Sequence, residues 1–355
     1  MSTVVNLSRC IPFPILAASI CFSQIGATPT PLRILDRTPV ASLPLNLKGF
    51  RVIPSDAKFY LQTGPGTYIA VDSDGQTHSA LDAAKVPTSD SIKPGDLYTT
   101  DLAPDPRGGV IAPVVWDDAS KKSRAGILRF DENGDYEALI PLDAEFNPAH
   151  AAEFSSAGGF LVTGYDEEGK IHVALFDSRG RMLIPQVLKF GNADATPGKS
   201  KNGQTEQPDS QPVIEAGLIQ MASGDDDAVY LFNPSSGRKV IRVRPDGQSS
   251  EIVLPKPVYL QDASTLPLEM LVSHGNLYLC EAVLDKGLKP EDAMELKRFA
   301  LSVYDRYNGV LNASFQIDST FGATLVAASP RDFRFLDAKV VPGQGLSFSI
   351  IRAAP

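Results

Sequence analysis

The sequence predicts an all-β fold made from one repeated unit. Three observations support this prediction: a composition rich in turn residues, a hairpin signal that recurs along the chain, and strands that are apolar on both sides. The 28 Gly and 28 Pro are spread over 355 residues, which is typical of many short elements separated by turns. A hydrophobic content of 43% with 21% charged residues is that of an ordinary globular chain.

The hairpin signal is an Asp followed three or four residues later by a Gly. It occurs at four places, Asp72, Asp131, Asp177 and Asp305, and a variant at Asp246 turns one residue later. In such turns the Asp accepts a backbone hydrogen bond and the Gly takes a positive φ. Short apolar runs flank each signal, as in "HVALFDSRGRML" (residues 172–183). Each signal therefore predicts a β-hairpin, and "PLRILDR" (residues 31–37) ends a sixth run of the same kind.

Two further strands precede each hairpin, so the unit has four strands, which we call a, b, c and d in chain order. The turns that follow the c strands lie 36 to 69 residues apart. In "HVALFD", Val173 and Leu175 point to one face and Ala174 and Phe176 to the other, so both faces are apolar. Blades covered on both sides have this pattern, whereas a half-solvated sheet alternates. The sequence predicts a six-bladed β-propeller of four-stranded antiparallel blades; a β-sandwich or several small β domains is the alternative.

The two ends of the chain are expected to form the last blade together. Residues 31–37 and 41–47 would supply its c and d strands, and residues 333–343 and 346–354 its a and b strands. Such a blade leaves no free sheet edge. "TLVAASP" (residues 324–330) is left over by this scheme, so seven blades is a further alternative. Over residues 31–353 the architecture resembles six-bladed propellers of the NHL and TolB-like kind. The resemblance implies a fold and no activity, because no family-specific motif accompanies it.

The N-terminus has the features of an export signal. Arg9 is the only charged residue among the first 32, an apolar stretch follows from Ile11 to Cys21, and Ala27 offers a small residue for cleavage. We therefore expect a signal peptide at residues 1–27, one propeller domain at residues 28–355, and a secreted or periplasmic location. Residues 18–21 resemble a lipobox, which makes lipidation an alternative. The apolar stretch is too short to span a membrane.

Charge and cysteine content exclude several classes of function. A formal net charge of -9 disfavours a nucleic-acid partner on electrostatic grounds. After removal of the signal peptide, Cys280 is the only cysteine, so the domain has no internal disulfide and no cysteine zinc site. Cys280 lies in an apolar run, which predicts a buried thiol. We expect a monomer.

The longer connections indicate where a partner binds. In a four-stranded antiparallel blade, the b–c and d–a connections leave from one end of the blade and the a–b and c–d turns from the other. The four longest connections, residues 82–96, 117–124, 191–212 and 285–298, are all of the b–c or d–a kind. Because binding residues concentrate on loops held by a rigid scaffold, we expect an exported binding or scaffolding protein that recognises a protein, peptide or glycan on this end.

The alternative function is a divalent-metal-dependent hydrolase. Four acidic residues stand near the predicted starts of successive a strands: Asp101, Glu153, Glu215 and Glu269. Such a ring at the mouth of the central channel could hold Ca²⁺ or another divalent cation, as in lactonase-type propellers, where the metal activates water. The alternative is that these acidic residues bind no metal and lie at strand starts because those positions are exposed to solvent. The sequence contains no nucleophile elbow, phosphate loop or zincin motif.

"DENGD" (residues 131–135) has oxygen ligands spaced like those of a calcium loop. Position twelve of such a loop is Leu142 instead of a bidentate Glu, so a simple hairpin explains the segment.

Overall fold

The computed structural model describes residues 29–40, 52–55, 58–64, 66–87, 97–99, 101–156, 158–191, 213–215, 219–284, 298–318, 324–341 and 345–355. The predicted signal peptide, with Cys10 and Cys21, lies outside these residues. Cys280 is buried, as the sequence predicts. In the part of the chain that is described, we find no helix with the length and apolar character needed to cross a membrane.

The described strands form six sheets arranged as the blades of a β-propeller, together with one small parallel pair. Two strands come first, β1 (Thr30–Pro31) and β2 (Arg33–Pro39). Blade 1 contains β3 (Val52–Ile53), β4 (Lys58–Gly64), β5 (Thr67–Asp72) and β6 (Thr77–Asp82). Blade 2 contains β7 (Tyr98–Thr99), β8 (Ala103–Pro104), β9 (Val110–Asp117), β10 (Ser123–Phe130) and β11 (Tyr136–Pro141). Its inner strand is split into β7 and β8, which both pair with β9.

Blade 3 contains β12 (Asn147–Glu153), β13 (Phe160–Tyr165), β14 (Ile171–Phe176) and β15 (Met182–Ile184). A parallel pair follows, β16 (Lys189–Gly191) with β17 (Val213–Glu215). Blade 4 contains β18 (Gln220–Ser223), β19 (Val229–Phe232), β20 (Lys239–Val243) and β21 (Ser249–Val253). Blade 5 contains β22 (Ser264–Ser273), β23 (Asn276–Leu284), β24 (Arg298–Asp305) and β25 (Leu311–Asp318). Blade 6 contains β26 (Thr324–Ser329), β27 (Asp332–Val341) and β28 (Gly345–Ala354). Single 3₁₀ turns occur at Ala83–Lys85, Pro234–Ser236 and Val258–Leu260.

The core lies between blades, and each blade contributes both of its faces. On β14, Ala174 and Phe176 pack towards blade 2, in a cluster with Ile127. Val173 and Leu175 of the same strand pack towards blade 4. This confirms the prediction drawn from the apolar pattern of this strand. Burial of apolar surface, at roughly 25 cal/mol per Å², is therefore what holds neighbouring blades together.

The strands of blade 6 divide differently from the sequence expectation. Thr324–Ser329, which the strand scheme left over, is the inner strand, so β27 and β28 take the b and c positions. The outer position is occupied by β2, which pairs antiparallel with β28. Leu32, between β1 and β2, is buried in the cluster that contains Phe315 and Phe333. Residues 41–47, expected as a d strand, lie outside the described residues. The difference arises because strand pairing depends on residues far apart in the sequence. A local apolar run predicts that a strand forms but not which strand it pairs with.

The five remaining hairpin signals all form hairpins, and the Asp side chain caps its own turn. The Oδ1 atom of Asp131 accepts the backbone N–H groups of Asn133 at 2.9 Å and Asp135 at 2.8 Å. Asp177 makes the same pair of bonds two and four residues ahead. Backbone hydrogen bonds lower the pKa of both carboxyl groups. The "DENGD" segment is therefore a hairpin turn whose first carboxylate is used internally.

The Gly of each of these turns packs against the neighbouring blade. A Cβ on Gly134 would overlap the carbonyl oxygen of Ser79, and one on Gly180 would overlap that of Pro141. A Cβ on Gly309 would likewise overlap the carbonyl oxygen of Val253. All three glycines have φ between 70° and 78°. A glycine is thus required at this position for two reasons: the backbone is left-handed, and the outer strand of the preceding blade approaches closely.

We expect Gly180→Ala to destabilise the protein more than Gly169→Ala does. Both residues have φ of 78°, but a Cβ on Gly169 meets nothing within 4 Å. The left-handed backbone alone costs about 1–2 kcal/mol, and overpacking adds about 1–3 kcal/mol at Gly180. Urea unfolding of the two variants measures the difference. Equal losses at the two positions would show that the contact between blades contributes nothing.

Candidate functional site

The propeller has two unlike faces, defined by strand direction. The b–c and d–a connections leave from one end of the blades, which we call the connection face. The a–b and c–d turns leave from the other, which we call the turn face. The segment 117–124, expected as a long connection, contains a short turn in which Asp118 accepts the backbone N–H groups of Ser120 and Lys122. The other three long connections lie largely outside the described residues, but their flanking strands place them on the connection face.

Two exposed tyrosines stand on the connection face of adjacent blades. Tyr98 begins the inner strand of blade 2 and is 67% exposed, and Tyr165 ends β13 of blade 3 and is 42% exposed. Both residues are in strands, since Tyr98 pairs with Val115 and Tyr165 with Ile171. The backbone under each ring is therefore fixed, which limits the entropy lost when a partner binds.

A polar and aromatic group beside Tyr165 extends this surface. The ring of His172 stacks on Phe146, with centroids 5.1 Å apart and planes at 6°. The Nε2 atom of His172 lies 2.8 Å from Oδ2 of Asp166. Asp166 caps its own b–c turn by accepting the backbone N–H groups of Glu168 and Lys170. The surface formed by Tyr98, Tyr165 and His172 thus combines aromatic area with hydrogen-bonding groups in fixed positions.

Side chains of the inner strands join neighbouring blades around the central channel. Asp101 of blade 2 contacts His150 of blade 3, with Oδ2 2.5 Å from Nδ1. The Gln220 side chain of blade 4 donates to the carbonyl of Leu268 at 2.8 Å and accepts from the N–H of Met270 at 3.0 Å. The inner strand of blade 4 also approaches β8 of blade 2, which narrows the channel on that side. Side chains that line the central channel therefore connect neighbouring blades through hydrogen bonds and polar contacts.

Glu269, on the inner strand of blade 5, has a strongly raised pKa. Burial raises its pKa to about 8, and a hydrogen bond from the backbone of Leu325 acts in the opposite direction. Leu325 lies on β26, so Glu269 joins blade 5 to blade 6. A carboxyl group of this pKa is largely protonated at neutral pH, and burial favours that uncharged form.

On the turn face, Arg129 forms the centre of a buried charge cluster between blades 2 and 3. Its Nε donates to Oδ2 of Asp105 at 3.1 Å, and an Nη donates to Oε2 of Glu153 at 2.5 Å. The side chains of Asp105 and Glu153 are only 3% and 2% exposed. Arg107 also binds Asp105, at 2.8 Å. Burial, and next the charge of Asp105, raises the pKa of Glu153, while Arg129 opposes the rise.

A similar contact between an arginine of the c strand and an Asp of the a–b turn occurs in blade 4. Arg242 occupies the position of Arg129, two residues before the c–d turn, and binds Asp226 of the a–b turn at 2.8 Å. Arg306 of blade 5 pairs with Asp225 of the same turn. These arginines were not predicted from the sequence as functional or structural residues. Superposing "GILRFD" on "KVIRVR" could have found the first two, because an arginine repeats at one position of the unit.

The four acidic residues predicted to form a metal ring do not share one position. Asp101 lies in the gap of the split inner strand of blade 2, and Glu269 lies in the middle of β22. Glu153 is the last residue of β12, on the turn face, so its expected place at the start of the strand is wrong. The strand begins earlier than expected because it includes the polar residue Asn147.

Glu215, the fourth, ends β17 of the parallel pair. Within the described ranges, no group of three or more His, Cys, Asp or Glu side chains is placed to hold a metal ion. The metal site therefore stays a prediction from sequence.

No protein-family model matches this sequence, and no curated protein matches it. Several solved structures are similar in fold. The putative TolB of Agrobacterium tumefaciens is 13% identical, with 86% of this chain and 90% of that chain covered and a TM-score of 0.39. TolB of Acinetobacter baumannii is 14% identical, with 84% and 65% covered and a TM-score of 0.41. YCF48 of Cyanidioschyzon merolae is 10% identical, with 90% and 98% covered and a TM-score of 0.39. At this level of similarity no activity or partner is transferred to this chain.

We expect Arg129→Met to lower the free energy of unfolding by about 3–5 kcal/mol, because it removes the buried cation between Asp105 and Glu153 and leaves them only Arg107, whose side chain is 54% exposed. The control is Arg244→Met, whose pair with Asp246 is 43% and 48% exposed and should contribute about 0–1 kcal/mol. Chemical denaturation at pH 7 measures both. A loss at Arg129 no greater than at Arg244 would show that the cluster is not a tie between blades.

Stability should also fall as the pH rises because of Glu269. Its pKa is about 8 in the folded state, above that of an unfolded Glu, so its contribution is complete below about pH 4 and is lost as the pH rises through 8. Glu269→Gln should remove this part of the pH dependence, on the order of a few kcal/mol between pH 5 and 9. Thermal melting across that range checks it, with the exposed Glu168→Gln as control. An unchanged profile in Glu269→Gln would contradict the expectation.

Proposed function

We propose that this chain is an exported binding or scaffolding protein that recognises a protein, peptide or glycan through its connection face. The observation that carries this proposal is the pair of exposed tyrosines, Tyr98 and Tyr165, held by strands on adjacent blades of that face. Tyrosine is enriched at binding interfaces and among the residues that dominate binding energy. Its ring supplies apolar area and its hydroxyl supplies a hydrogen bond, which suits partners of mixed polarity.

The two faces also differ in the length of their connections. The described a–b and c–d turns on the turn face are short. On the connection face, the three longest connections start and end at the same end of the blades as the tyrosines. Long connections on a rigid scaffold are where binding residues concentrate.

Export is supported by the N-terminal sequence, in which a single Arg precedes an apolar stretch and a small residue. A secreted or periplasmic location also suits a domain that has one buried cysteine and no need of a reducing compartment.

The metal-dependent hydrolase has less support. Of its four candidate ligands, Asp101 is already in contact with His150 and Glu153 with Arg129. A carboxylate whose oxygen atoms already have a partner in the protein is a poorer ligand for a metal ion.

We expect the double variant Tyr98→Ala with Tyr165→Ala to lose the partner while the fold is kept. Removal of two aromatic anchors should weaken binding by at least about tenfold, which is 1.4 kcal/mol. The immobilised chain is incubated with an extracytoplasmic extract, and in parallel glycan binding is measured on an array. The partner retained by the wild type is then titrated against each variant.

The matched control is Tyr307→Ala, which removes a tyrosine 57% exposed on the turn face. It should bind as the wild type does. If the control loses the partner and the double variant retains it, the binding surface is the other face of the ring.

A further inference from the structure

The connection face of blade 3 carries exposed carboxylates around Tyr165. Glu167 and Glu168 follow Tyr165 in the b–c turn, and Glu145 lies two residues before Asn147, which pairs with Tyr165 across the inner strand. All three glutamates are exposed. Among the described residues, none of these glutamates forms an ion pair within 4.0 Å. Their charges are therefore available to a partner.

The cations on this part of the face do not offset these charges. Lys170 is the one exposed base in the b–c turn of blade 3, so three exposed glutamates stand against one exposed lysine. Asp166 of the same turn is used by its own backbone and by His172. The exposed Lys121 and Lys122 belong to the b–c turn of blade 2. The potential over the connection face is therefore negative at blade 3 in particular.

Paired carboxylates are the pattern on the turn face, so the unpaired ones at blade 3 are not a general result of the acidic composition. Asp105 and Glu153 both bind Arg129, and Asp226 binds Arg242. There the acidic side chains hold the ring together. At blade 3 the three glutamates have no such role within the described residues.

Aromatic rings in the same region are rigidly held. A Cβ on Gly164 would lie 2.6 Å from the ring of Phe146, so this ring rests directly on the backbone of β13 and supports the stacked ring of His172. Tyr165, the next residue of β13, is exposed. The face of a tyrosine ring attracts ammonium and guanidinium groups. The ring of Tyr165 and the glutamates around it thus attract the same class of group.

We propose that this acidic surface, formed by Tyr165, Glu145, Glu167 and Glu168, binds a segment of a partner protein that presents Lys or Arg side chains. The inference rests on the proposed function and names the chemistry of its partner. The cationic group donates charge-assisted hydrogen bonds to the glutamates, and its aliphatic stem lies on the tyrosine ring. A neutral glycan gains nothing from the unpaired charges, and an acidic one is repelled by them.

The test uses the full chain and a fluorescein-labelled peptide, Gly-Lys-Ala-Arg-Gly-Lys-Ala-Arg-Gly, with a counterpart in which Gln replaces every Lys and Arg. Fluorescence anisotropy at low salt should show binding of the basic peptide, and a Kd at least about tenfold weaker for the Gln peptide. Glu145→Gln with Glu167→Gln and Glu168→Gln should weaken binding of the basic peptide about tenfold. High salt should remove most of this difference, because exposed charges are screened.

The matched control is Glu132→Gln with Asp135→Asn and Glu137→Gln. It removes the same charge from exposed positions at the c–d turn of blade 2, on the turn face, and should bind as the wild type does. Thermal melting confirms that both triple variants are folded. Equal weakening by the two variants would show that the peptide responds only to the net charge of the chain and would overturn the proposal. Equal binding of the basic and Gln peptides would overturn it as well.

The partner captured from the extract separates this inference from the proposed function. A partner that is lost with Tyr98→Ala and Tyr165→Ala but retained by the glutamate variant would overturn the inference and leave the proposed function intact. A partner lost by the glutamate variant and retained by the tyrosine variant would support the acidic surface and contradict the tyrosine pair as anchor. A neutral glycan bound on the array and released by the tyrosine changes alone would reassign the surface and overturn the inference.

Discussion

The contact between each c–d turn and the outer strand of the preceding blade is the constraint on which the ring depends. Gly134, Gly180 and Gly309 bring the backbone of their turns against carbonyls of Ser79, Pro141 and Val253. Because this contact between a turn glycine and a carbonyl of the preceding blade recurs around the ring, backbone contact sets the distance between neighbouring blades. The apolar layers between blades then have a fixed thickness to fill, and side chains such as Phe176 and Leu175 can pack to either side of one sheet.

Buried ion pairs join neighbouring blades near both faces of the ring, as Arg129 with Glu153 does on the turn face and Arg238 with Glu281 near the connection face. Arg129 sits between two buried carboxyl groups, and Arg242 repeats its contact with a turn Asp. Buried ion pairs give little net stability but are costly to break, so they fix the relative position of the elements they join. The turn face is consequently specified in detail by the repeat. The connection face adds long connections and exposed aromatic side chains to this framework, since loops on a rigid scaffold can vary without changing the strands that hold them.

The sequence predicted those parts of the fold that local chemistry determines. Each Asp-x-x-Gly signal formed a hairpin because the Asp side chain bonds to the backbone two and four residues ahead. Inner strands were placed less well: β12 starts at Asn147 and β22 at Ser264, and an apolar pattern does not mark a strand that begins with an exposed polar residue. For the same reason Glu153 was placed on the wrong face. The partners of Arg129 and the exposure of Tyr98 depend on packing between blades and could not be obtained from the chain alone.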